Sequence, residues 1–68
     1  MSLIRYLYDF SSLSNDNVNN LLNRIERMSH TSSFNPHTRM CEFFLSNSDM
    51  LSLIQIPDSC TLVSTNQV

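Results

Sequence analysis

Sixty-eight residues set an upper bound of one small domain, and a chain of that size buries only roughly 60% of the surface it exposes when unfolded. The formal net charge is −2 and all four cations are arginines, Arg5, Arg24, Arg27 and Arg39, so no basic field exists to hold nucleic acid. Gly, Ala, Lys and Trp are absent, which excludes glycine-rich phosphate loops, dinucleotide fingerprints and Schiff-base lysines.

A hydrophobic fraction of 41% is enough for a core, but domains this small usually add disulfides, a metal or oligomerisation. Ser and Asn are abundant, and Asn, Asp and His far outnumber Lys, Glu and Gln. Those two sets differ only in the third codon position, so the bias points to a skewed genome or an overprinted gene, as with many viral accessory proteins. A coding sequence with balanced third positions would remove that inference.

Taken in order, Ser2 can cap a first helix, residues 2–12, in which Leu3, Ile4, Leu7, Tyr8 and Phe10 share a broad apolar face and Arg5 and Asp9 pair one turn apart. Ser11 to Ser14 then reads as the turn of a helical hairpin. The segment from Asn15 to Ser29 carries the clearest pattern in the chain. Val18, Leu21, Leu22, Ile25 and Met28 make one apolar stripe, Ser14 or Asn15 caps it, Asp16 sits in the first turn and Arg24 and Arg27 lie toward the negative end.

Residues 29–34 read as a linker anchored by Phe34. Asn35-Pro36 is a helix-start signal, and a third helix over 36–46 would put Met40, Phe43 and Phe44 on one face; a strand over Cys41 to Leu45 is the alternative. Met50 to Ile56 fits either a short helix after Ser48 or a strand, and Pro57-Asp58-Ser59 is a turn. The β-branched residues that follow favour a hairpin of 51–56 with 60–65, whose edge would lack Lys and inner Pro and so offer a template for another chain. The expected fold class is mainly α, a helical hairpin plus a third helix with a short C-terminal β-hairpin, with α+β as the alternative. Residues 1–64 form the domain and 65–68 a frayed tail.

His30, His37, Cys41 and Cys60 are the soft ligands, and on a third helix His37 and Cys41 would stand one turn apart as zinc ligands do. Their spacing matches no zinc module, so Cys41 as a core residue is the plainer expectation. No set of residues meets the geometric needs of catalysis, no cofactor is implied, and the chain is expected not to be an enzyme. Asn20, Arg24 and Arg27 form a polar face that would meet duplex RNA in a dimeric binder.

The six aromatic residues and Met1, Met28, Met40 and Met50 exceed what three helices can bury, which points to a homodimer or larger self-assembly, or to docking on a larger protein. Tyr6, Tyr8 and Phe44 are the expected partner contacts. No run approaches the roughly 18 apolar residues of a membrane span, and a cytoplasmic or nuclear location with reduced cysteines follows as the expectation. The expected function is a non-catalytic protein–protein interaction or assembly module.

Overall fold

The computed structural model describes residues 2–68; Met1, counted above with the domain and the apolar contact set, lies outside the described residues. The elements run β1 (Ile4–Asp9), α1 (Asn15–Met28), β2 (Thr31–Asn35), β3 (Met40–Leu45), α2 (Asp49–Ile54) and β4 (Thr61–Gln67). The strands form one antiparallel sheet in the order β2-β3-β1-β4, the split βαβ connectivity of an α+β domain. This corrects the mainly α expectation: of the three expected helices, α1 is the one that forms.

The first helix, residues 2–12, is replaced by β1, because Ile4, Tyr6 and Tyr8 alternate with Arg5, Leu7 and Asp9 and a pleated strand separates those two sets. Leu7 misleads the pattern, since an apolar residue on the outer face completes a helical spacing equally well. β3 alternates more sharply: Cys41, Phe43 and Leu45 are buried, while Met40, Glu42 and Phe44 are half-buried on the other face. Phe43 and Phe44, expected side by side on a helix, therefore point to opposite sides of the sheet.

The register sets Ile4 opposite Leu45, Tyr6 opposite Phe43 and Tyr8 opposite Cys41, so both inner strands turn the same residues inward. Rings stack along this seam, Tyr6 on Phe43 at 5.5 Å, Phe43 on Tyr8 at 5.9 Å, Tyr8 on Phe10 at 6.1 Å and Phe10 on Phe34 at 6.5 Å. Each such pair adds about 0.5–1.5 kcal/mol to the burial term. Phe34 comes from β2, which forms where a linker was expected because its alternate residues Ser32 and Phe34 can join this inner face.

Asn35-Pro36 keeps its capping chemistry but opens a single turn of helix rather than a long one. The Asn35 side chain accepts from the backbone N–H groups of His37 at 2.9 Å and Thr38 at 3.3 Å, and the Arg39 N–H closes the turn on the Asn35 carbonyl at 2.7 Å. Arg39 then takes a left-handed conformation with φ 59°, and β3 begins. The Arg39 guanidinium donates to the Leu13 carbonyl and, at 3.0 Å, to the Asn15 side chain, tying this hairpin to the start of α1.

α1 follows its expected pattern. Ser14 caps it, accepting from the Asn17 N–H, and Val18, Leu21 and Ile25 are buried against the inner face of the sheet. After β3, residues 49–54 form the helical alternative, α2, in which Ile54 is buried and the Asn47 side chain accepts from the Met50 N–H at 3.2 Å. The expected hairpin of 51–56 with 60–65 does not exist, since β4 pairs with β1 instead. Thr65 to Gln67, expected to fray, face Tyr6, Arg5 and Ile4 in that ladder.

Ile25 is fully buried, so Ile25→Asp places an unpaired charge in the core and is expected to abolish folding, whereas Asn19→Asp on the solvent side of α1 leaves the circular dichroism spectrum intact. Equal spectra for the two variants would contradict this packing. Gln55 ends α2 at φ 61° in a chain without glycine, so Gln55→Gly is expected to raise the unfolding free energy by about 1 kcal/mol. Urea denaturation would measure it, and a loss of stability would contradict the assigned backbone.

Candidate functional site

The helices cover the inner face of β1 and β3 but not of β4, which leaves the outer face, the free edges and the β4 side of the sheet for contact with partners. On the outer face, Arg5 Nε donates to Glu42 Oε2 at 2.5 Å across the β1–β3 diagonal, and Arg5 Nη1 reaches Ser64 Oγ and Asn66 Oδ1 at 3.3 Å each on β4. The pair stays about a third exposed, 28% and 36% for the two side chains, and is worth at most roughly 1 kcal/mol. Its larger effect is to neutralise the one cation beside β4.

Tyr6 and Tyr8, expected at a partner contact, belong to the aromatic seam. Tyr6 is buried, and Tyr8 is half-buried against the core with its hydroxyl pKa pushed up by that burial. Phe44 is the one of the three on the outer face, opposite Arg5 on one side and Thr31 on the other. The three residues do not meet on one surface.

Arg24 is engaged within the fold: its Nε donates to the Ile54 carbonyl at 2.8 Å and its Nη2 to the Gln55 carbonyl at 3.4 Å, capping the C-terminal end of α2. Arg27 and Asn20 remain exposed on α1, so the expected trio of Asn20, Arg24 and Arg27 is split between a structural cap and free solvent.

The zinc arrangement expected of His37 and Cys41 depended on the third helix. In its absence His37 is exposed in the β2–β3 turn, while Cys41 is buried on the inner face of β3. Cys60 is half-buried in the α2–β4 connection, His30 is exposed between α1 and β2, and both thiols are free. Among the described residues no group of three or more His, Cys, Asp or Glu side chains comes together as a metal site would require. The same residues show no helix long and apolar enough to cross a membrane.

What sequence reasoning missed lies in the second half of the chain. Every residue of β4 is exposed, and among the described residues the exposed large apolar side chains are Leu53 at 65%, Leu62 at 43%, Val63 at 47% and Val68 at 70%. The reason is geometric. The β3-to-β4 connection crosses β1, so α2 is the element positioned to shelter β4, yet six residues make less than two turns. The uncharged, β-branched run from Thr61 was visible as a strand with an unprotected edge; that it would be the outermost strand of a four-stranded sheet was not.

Burial pushes the Cys41 thiol up to about 12, against about 8.5 for a free cysteine. The stabilisation from keeping that thiol neutral is complete below the unfolded pKa and is lost as the pH rises toward the folded one. The urea midpoint is therefore expected to fall between about pH 9 and pH 11, and Cys41→Ala to flatten that fall; a midpoint independent of pH would contradict it. Tyr8 contributes in the same direction. Comparison of the chain with protein-family models, curated proteins and solved structures returned no match.

Proposed function

We propose that this chain is a non-catalytic assembly module that self-associates through the β4 side of its sheet. The observation that supports this reading is the exposure of every residue of β4, Leu62 and Val63 included, while the first three strands keep their large apolar side chains at least half-covered. Isolated apolar side chains on a surface need no explanation; a whole strand left uncovered at the end of a sheet does.

Charge favours a second copy as the occupant. From Ser59 to Val68 there is no Asp, Glu, Lys or Arg, and Arg5 beside the strand is paired with Glu42. Two like surfaces therefore approach without opposed side-chain charges, and a contact made of backbone groups and uncharged side chains is insensitive to salt. A small domain with a thin core also gains stability from such burial.

Sedimentation equilibrium over a wide concentration range, at low and high salt, tests the proposal. The expected result is a reversible dimer whose population rises with concentration and persists at high salt. A monomer throughout the range would overturn it.

A further inference from the structure

The geometry of β4 points further, to the register of that contact: we infer that two copies pair antiparallel along residues 64–68, with Asn66 facing Asn66 of the second copy on the twofold axis. This rests on the self-association proposed above and names the groups that make it.

The Val68 N–H donates to the Leu3 carbonyl at 2.9 Å, continuing the ladder in which Ile4 faces Gln67 and Arg5 faces Asn66. Opposed residues in an antiparallel pair alternate between exchanging both backbone bonds and exchanging none. The backbones of Val68, Asn66 and Ser64 therefore turn toward β1, and those of Gln67 and Thr65 turn outward with nothing beyond them in the sheet.

The earlier half of β4 is protected. The register shifts between Leu7 and Tyr8, leaving Val63 as an extra residue against β1, and a bulge of this kind twists an edge away from partners. Residues 64–68 lie past it. They contain no proline and no charged side chain, so neither of those usual blocks to edge pairing is present there.

Two outward residues separated by one inward residue are self-complementary on inversion. Centring the axis on Asn66 sets Thr65 against Gln67 of the other copy and Gln67 against Thr65, giving four backbone hydrogen bonds. Centring on Thr65 would supply two and run the strand into the bulge. The Asn66 axis leaves both outer faces on one side, so the result is a continuous eight-stranded sheet with all helices on the other. It is an isologous, closed contact that cannot propagate into a fibre.

The free edge of β2 offers less. It is uncharged too, but it runs directly into the Pro36 turn, and proline at an edge blocks pairing.

The test is crosslinking in a Cys60→Ser background, with Cys41 buried on the inner face. Non-hydrogen-bonded antiparallel partners stand about 4.5 Å apart at Cα, within the range a disulfide spans. Asn66→Cys is therefore expected to form a covalent dimer under mild oxidation, whereas Ser64→Cys and Thr65→Cys, offset from their symmetry mates, remain monomeric on a non-reducing gel. Thr65→Pro removes one outward N–H per copy without removing a β1–β4 bond, and is expected to weaken the dimer roughly hundredfold with the circular dichroism spectrum retained.

Crosslinking through Thr65→Cys instead of Asn66→Cys would overturn the register. A wild-type dimer that survives Thr65→Pro and does not crosslink through Asn66→Cys would overturn the β4 contact while leaving self-association standing. A wild-type monomer in sedimentation would overturn both.

Discussion

The structure depends on the pairing of β1 with β3. These two strands are the inner pair of the sheet, and their inward residues, Ile4, Tyr6 and Tyr8 against Leu45, Phe43 and Cys41, form the floor on which both helices pack. Without that pair β2 and β4 have no neighbour to bond to, and the stripe of α1 has no apolar surface to cover. The contact joins residues some 37 positions apart, so its loop-closure entropy is lost before any of its burial is gained. The aromatic seam concentrates the compensating burial at that point, with five stacked rings drawn from three strands and the β1–α1 turn.

A chain without glycine must make its tight corners by other means. Asn35 supplies side-chain acceptors for two backbone N–H groups, and Arg39 and Gln55 occupy left-handed conformations that glycine would take with less strain. At Arg39 the strained position also holds a guanidinium against the Leu13 carbonyl and the Asn15 side chain. The arginines thus serve the fold first: Arg5 bridges β1 to β3 and β4, Arg24 caps α2, Arg39 joins the hairpin to α1, and Arg27 alone makes none of these contacts. Of these, Arg5 alone has its charge offset by a carboxylate; Arg24 and Arg39 spend their donors on neutral oxygens.

The same economy of length shapes the surface. α1 has 14 residues and shelters its part of the sheet, whereas α2 has six and leaves β4 bare on the helix side, where Leu62 opposes Tyr8. The short second helix leaves the side chains of β4 uncovered, and the bulge at Val63 confines the regular free edge to residues 64–68. Neither feature is needed to close the core, which is built from Tyr6, Phe10, Val18, Leu21, Ile25, Cys41, Phe43, Leu45 and Ile54.

By itself the sequence determined what is local. The 3.6-residue period from Val18 to Met28, the Ser14 cap, the turns at 11–14 and 57–59 and the Asn35 capping chemistry all depend on neighbours within a few residues, and all appear where the residues place them. The candidate edge was legible only as an uncharged β-branched run. Tertiary structure decided the rest. Residues 4–9 and 40–45 carry apolar side chains on both faces, so their spacing fits helix and strand alike, and only pairing with each other selects the strand. Whether Tyr6 and Tyr8 meet the core or the solvent, whether Arg24 is free, and which strand lies outermost follow from that pairing, because burial and hydrogen-bond partners are properties of distant contacts rather than of local spacing.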